Sequence, residues 1–173
     1  MPIQRLNHAV LFVRDVDRSV AFYTDVLGFR RLDEMAALKG AAFLQAPGST
    51  NDHDLGLFEI GTAAGPSQAG RATVGLYHLA WEVDTLDELE RIAASLSEAG
   101  ALVGASDHGT TKSLYGKDPD GIEFEVAWII PAHLIDDVAR EARVRIGQLD
   151  LAKEKARYGA DTKGGVGISH LVR

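Results

Sequence analysis

The chain has 173 residues, with 18 Lys and Arg against 25 Asp and Glu, giving a formal net charge of −7. Its 46% hydrophobic and 25% charged residues are a folded globular composition, and the acidic balance argues against the basic stripe that nucleic-acid binding needs. The absence of cysteine excludes disulfides, thiolate metal sites and cysteine nucleophiles, and the apolar runs fall short of the roughly 20 residues that cross a bilayer.

The N-terminus, MPIQRLNHAVLFV, reads as a strand and lacks the pattern of a signal peptide, so a soluble cytoplasmic protein is expected. Val16, Val20, Tyr23 and Leu27 then recur at helical spacing, with Asp15 as N-cap and Gly28 as the stop. Short β-type runs follow at about 30–36, 41–46 and 54–60, and residues 62–73 make a small, polar linker. The second half opens on a strand near Leu76. A second helix carries the stripe Leu86, Leu89, Ile92 and Leu96, opened by a capping box of Thr85 and Glu88 and closed by Gly100. Strands are expected at about 102–106, 111–117 and 122–129, the last two joined by the turn Asp118-Pro119-Asp120-Gly121. Pro131 opens an amphipathic helical region reaching about Tyr158, with a break at Gly147, and GADTKGGVGISHLVR reads as a mobile tail.

The chain nearly repeats itself. HAVLFVRDVDRSVAFYTDVLG at 8–28 and HLAWEVDTLDELERIAASLSEAG at 78–100 share one grammar: His, strand, acidic turn, helix, Gly. LGLFEI and IEFEV sit later in the two halves. His8 to Glu59 is 51 residues and His78 to Glu125 is 47, so both halves read β-α-β-β-β. The expected division is a first module at 1–61, a linker at 62–73, a second module at 74–129 and a C-terminal extension and tail at 130–173.

The repeat pairs His8 with His78 and Glu59 with Glu125, two nitrogens and two oxygens. Two His and one carboxylate with open positions suit Fe(II) and O₂ chemistry; a second carboxylate yields an octahedral-type site for Lewis-acid work. Strand alternation places His78 with Ala80 and Glu82, and Glu123 with Glu125. Those two glutamates also fit a solvent-exposed face or pairs with Lys112 and Lys117. The turn at 118–121 brings Tyr115 opposite Glu123 to Glu125, where a phenol can donate to a bound oxygen. Tyrosine is equally a common strand residue. His108, just before that hairpin, fits either a base or a surface loop histidine. Phosphate-loop and nucleophile-elbow patterns are absent. Phe43, Asn51, Asp52, His53, Trp81 and Trp128 are candidate pocket residues.

Through HAVLFVRDVDRSVAFYTDVLGF, YHLAWEV and KDPDGIEFEV, the chain resembles the vicinal oxygen chelate superfamily over about residues 4–129. That superfamily includes glyoxalases, bleomycin-binding proteins and extradiol dioxygenases; the stretch DHGTTKSLYGKDPDG most resembles its small, single-domain catechol-2,3-dioxygenase-like members. The resemblance implies an α+β fold in which paired βαβββ modules form a mixed-sheet half-barrel around a metal cavity, plus a C-terminal helical extension. It implies His8, His78 and Glu125 as metal ligands, with Glu59 as a candidate fourth ligand, and Tyr115 and His108 as catalytic residues. The divalent metal is expected to be Fe(II), with Mn(II), Ni(II), Co(II) or Zn(II) as alternatives. The partners it implies are a catechol-like aromatic diol and O₂, in a homodimer or higher homo-oligomer, with neither nucleic acid nor membrane. The activity it implies is extradiol ring cleavage. The alternatives are a glyoxalase I-like lyase or epimerase on a His₂Glu₂ site, and a metal-free drug- or metabolite-binding protein.

Overall fold

The computed structural model describes residues 2–3, 5–35, 38–70 and 72–165. The chain forms two compact units, one of Met1–Gln68 with Asp118–Gly121 and one of Ala69–Lys117 with Ile122–Arg173. Each holds one four-stranded mixed sheet and helices, an α+β architecture.

In the first unit the strands are β1 (Ala9–Val13), β2 (Arg30–Arg31), β3 (Ala41–Gln45) and β4 (Leu55–Glu59), in the order β1-β4-β3-β2. β1 and β4 run parallel, which requires the intervening chain to cross over; α1 (Val16–Asp25) begins that crossover. The helix starts where Asp15, in extended conformation, accepts a hydrogen bond from the Arg18 amide at 2.9 Å. Its buried face carries Val16, Val20 and Tyr23, and Gly28, with φ of +78°, closes the turn that follows the helix, its amide donating to Thr24 O at 3.0 Å. Tyr23 packs edge-on to Phe29 and donates its hydroxyl to Asp118 at 3.2 Å. Burial, and then the Asp118 charge, push this phenol well above its ordinary value. Arg14 pairs with Asp120 at 2.9 Å, tying the turn at 118–121 into this unit. The strand expected over 30–36 is shorter: the chain turns into a 3₁₀ helix at Asp33–Met35, where Asp and Glu are poor strand formers.

The second unit contains β5 (Leu79–Glu82), α2 (Leu86–Glu98), β6 (Leu102–Asp107), β7 (Thr111–Lys117) and β8 (Glu123–Ile129), with sheet order β5-β8-β7-β6. Thr85 accepts from the Glu88 amide at 3.1 Å. In place of the reciprocal half of the expected capping box, the Glu88 carboxylate accepts from Arg91 Nε, at 2.9 Å to each oxygen. Leu86, Leu89, Ile92 and Leu96 are buried, as is Trp128 beneath them in the same core. Leu89 is wholly buried, so Leu89→Ala is expected to cost about 2–5 kcal/mol through lost transfer energy and a residual cavity. Urea unfolding monitored by circular dichroism measures it.

The helical region expected over 131–158 is divided. A 3₁₀ turn at Ala132–Leu134 is followed by α3 (Asp137–Ala142) and α4 (Leu151–Tyr158). The cause is local: Asp136 caps Ala139 at 2.8 Å and Asp150 caps Lys153 at 3.0 Å, each opening a new helix. Residues 159–165 of the expected tail are docked: the Gly164 amide donates to Asp84 O at 2.5 Å and the Gly165 amide to Ile129 O at 3.2 Å. The remainder of that tail, with His170, lies outside the described residues. Among the described residues no helix is long and apolar enough to cross a membrane.

Candidate metal centre

Alternation along a strand decides which side chains share a face, and cross-strand register decides how far apart they stand. In the second unit β5 runs parallel to β8 with Ala80 level with Glu125, and β7 runs antiparallel to β8 with Tyr115 level with Glu125. His78, immediately before β5, has the parity of Ala80. His78, Glu125, Tyr115 and Ser113 thus converge on one face.

Their polar atoms lie within contact distance of one another. His78 Nε2 stands 3.1 Å from Glu125 Oε2. Ser113 donates its hydroxyl to the other oxygen of Glu125, at 2.5 Å. The Tyr115 hydroxyl lies 2.8 Å from His108 Nε2, and the Tyr115 ring centroid is 5.9 Å from that of His78. Burial, then the charge of Glu125, raise the Tyr115 phenol above its ordinary value, so it is a protonated donor at neutral pH.

The His78 and Glu125 pair fits a divalent ion. Two donors each about 2.1 Å from one ion and at right angles stand about 3.0 Å apart, close to the observed separation. A charge-assisted N–H···O⁻ bond is normally shorter. His78 Nδ1 is buried with no hydrogen-bond partner, so as a purely structural residue this imidazole is poorly satisfied. Among the described residues no three His, Cys, Asp or Glu side chains converge on one point. Of the three expected ligands, the second unit brings two together, and His8 belongs to the first.

In the first unit His8 is exposed, with Nδ1 2.8 Å from Asn7 Oδ1 and its ring 4.4 Å from that of His53. Val10 and Phe12 share its parity and are also exposed. The equivalence of Glu59 with Glu125 is corrected by register. His8 precedes β1 as His78 precedes β5, and Val10 stands opposite Gly56 where Ala80 stands opposite Glu125. The counterpart of Glu125 is therefore Gly56, and Glu59 corresponds to Trp128. An offset of three residues reverses the face of a side chain. Glu59 instead accepts the Val16 amide at 3.1 Å, at the start of α1. A Cβ on Gly56 would lie 3.4 Å from Val10 Cγ2 and 3.5 Å from Phe43 Cε1, in ordinary contact with both.

Two further expectations change. Lys112 does not pair with the face glutamates: it points to the other side of the sheet, buried, and pairs with Asp107 and Glu154. Trp128 is wholly buried against Tyr158, and Trp81 has the parity opposite to His78; neither lies on the cluster's face. Ser113 joins the cluster with no motif to mark it, although its i, i+2 relation to Tyr115 places it on the same face.

With this geometry in view, comparison with known proteins identifies the class. Residues 5–126 match the model of the Glyoxalase/Bleomycin resistance protein/Dioxygenase superfamily, and the chain belongs to that superfamily. It is 33% identical to a catechol-2,3-dioxygenase of Bacillus subtilis (strain 168), across 70% of this chain and 40% of the relative. It is 30% identical to a lactoylglutathione lyase of Neisseria meningitidis, across 70% of this chain and 88% of the relative. A glyoxylase/bleomycin resistance protein/dioxygenase domain from Frankia sp. EAN1pec shares the fold at a TM-score of 0.62 and 24% identity, across 78% of this chain and 98% of that one. The chain spans 40% of the length of that catechol-2,3-dioxygenase and 31% of metapyrocatechase 2 of Cupriavidus necator, less than half of each. A further relative, 26% identical, is a manganese-dependent 2,3-dihydroxybiphenyl 1,2-dioxygenase of Geobacillus genomosp. 3.

Proposed function

We propose that the protein is an extradiol-type ring-cleaving dioxygenase acting on a catechol-like aromatic diol, with Fe(II), or Mn(II), held by His8, His78 and Glu125. The observation that carries the reading is the Tyr115–His108 hydrogen bond at 2.8 Å, on the face that also brings His78 to 3.1 Å from Glu125. A phenol and an imidazole linked beside a carboxylate–imidazole pair are equipped to move a proton next to a bound diol.

The roles follow from the contacts. His78 and Glu125 bind the ion, and Ser113 fixes the rotamer of Glu125. The ion, when bound, supplies Lewis acidity and a redox path between an electron-rich diol and O₂. Tyr115, held protonated, donates to an oxygen of the substrate, and His108 behind it takes up or returns the proton.

The lyase reading is favoured by the 88% coverage of the lactoylglutathione lyase. Against it, the four-ligand set requires a carboxylate where register puts Gly56, and Glu59 is engaged at α1. Metal analysis separates the two, since stoichiometric iron supports the dioxygenase and nickel or zinc the lyase. Anaerobic loading with Fe(II), followed by a panel of catechols in air, is expected to give yellow products and oxygen uptake. Neither signal with any catechol would overturn the proposal.

A further inference from the structure

The C-terminal extension grips the segment that carries His108, and several independent contacts show how. Asp107 closes β6 immediately before His108. Its amide and carbonyl exchange hydrogen bonds with Gly147 of the extension, at 2.9 and 2.8 Å. Its carboxylate accepts from the Gly109 amide at 2.8 Å and from Lys112 Nζ at 2.6 Å. Lys112 is only 1% exposed, and its ammonium also lies 2.9 Å from Glu154 Oε2 of α4, itself 4% exposed. On the far side of His108, Gly109 has φ of +77° and is pressed onto α3. A Cβ there would meet Ala139 O at 2.6 Å and Arg143 N at 2.7 Å. Both neighbours of His108 are thereby held by the extension, while its own imidazole reaches forward to Tyr115.

Stability alone does not explain the Asp107–Lys112–Glu154 triad. Desolvating such ions costs several kcal/mol each, and apolar replacements of similar volume are often as stable or more so. What the triad provides is direction: it fixes one oxygen of Asp107, and through the Gly109 amide it fixes the 107–110 turn.

We propose that the C-terminal extension is the positioning element for His108, with Glu154 acting through Lys112 and Asp107 to set the imidazole against Tyr115. This rests on the reading of Tyr115 and His108 as the proton-handling pair, but the placement of His108 is measurable without turnover. Side-chain ¹⁵N spectra of full-length, histidine-labelled protein, assigned with His108→Gln, report whether Nε2 is hydrogen-bonded. Glu154→Gln is expected to move the His108 Nε2 resonance toward that of a free, tautomer-averaged imidazole, while His133 stays in place. In turnover it is expected to lower kcat about 10- to 100-fold, the cost of a misplaced group, with little change in KM. Arg157→Ala is the control, because it loosens the same extension by breaking the 2.7 Å pair with Asp136 and leaves Asp107 alone.

An unmoved His108 resonance in Glu154→Gln overturns the proposal; an equal shift in Arg157→Ala means that loosening the extension anywhere is enough, and overturns the role given to Glu154. If Glu154→Gln does not fold, the double variant Lys112→Met, Glu154→Leu removes the same pull while keeping the packing. The same His108 shift is then expected, and its absence counts equally against the idea. A shift in a protein that cleaves no catechol leaves the positioning intact and rejects only the assigned reaction.

Discussion

Glu125→Ala is expected to leave the purified protein with less than about a tenth of the bound metal of the parent, and to lower activity at least about 10³-fold. The substitution removes one of the two donors that the second unit brings to 3.1 Å. It also strands the other, because His78 then has no partner at either nitrogen. The fold should survive. Glu125 is half-buried on the sheet face, and the core residues Phe124 and Val126 on either side point the opposite way. Plasma mass spectrometry for metal, with circular dichroism for folding, reads both consequences. Ser113→Ala is the graded version, costing about 10- to 100-fold in affinity, because it frees the carboxylate without removing it.

Glu59→Ala is the contrasting substitution. Its carboxylate receives the Val16 amide at the positive end of α1, so it acts as a helix cap, worth about 0.5–2 kcal/mol. Metal content should stay at the parent level. Loss of metal from both variants would restore the four-ligand reading; loss from Glu125→Ala alone supports the three-ligand one.

The contrast between these two glutamates marks where the sequence is legible. Period-2 alternation and a strong turn locate Tyr115 against Glu125, because the hairpin about residues 118–121 leaves little freedom in register. The helices α1 and α2 are legible for the same kind of reason: each carries an apolar stripe and a side-chain cap within a few residues. Glu59 misleads because β1 and β4 are parallel and joined through a long crossover, so no local turn sets their register. An approximate repeat length, 51 against 47 residues, is then too coarse to decide a face. The division of the C-terminal region is a matter of competition. Asp136 and Asp150 cap new helices more strongly than the spacing of apolar residues extends an old one. Lys112 was least readable of all. Its acidic partners lie five and 42 residues away, one of them on a helix whose docking no local pattern encodes.

Tyr115→Phe tests the proton chemistry apart from the metal. The phenyl ring keeps the apolar body beside His78, at a centroid distance of 5.9 Å in the parent, and leaves both proposed ligands in this unit untouched. Metal content is therefore expected to be unchanged. What is lost is a single hydroxyl, the proposed donor to the substrate and the partner of His108 Nε2 at 2.8 Å. Removing a positioned acid–base group typically lowers kcat about 10²- to 10⁴-fold, and that range is expected with KM nearly constant. Folding should weaken by only about 1 kcal/mol, since His108 loses one hydrogen bond at a half-buried site open to water. The phenol in the parent is held protonated by burial and by the Glu125 charge, so the deficit should not be recovered by changing pH across the neutral range. A Tyr115→Phe enzyme with kcat within about threefold of the parent would remove Tyr115 from the chemistry and leave it a strand residue. A large loss with intact metal would separate ion binding, proposed for His78 and Glu125, from proton movement, proposed for Tyr115 and His108.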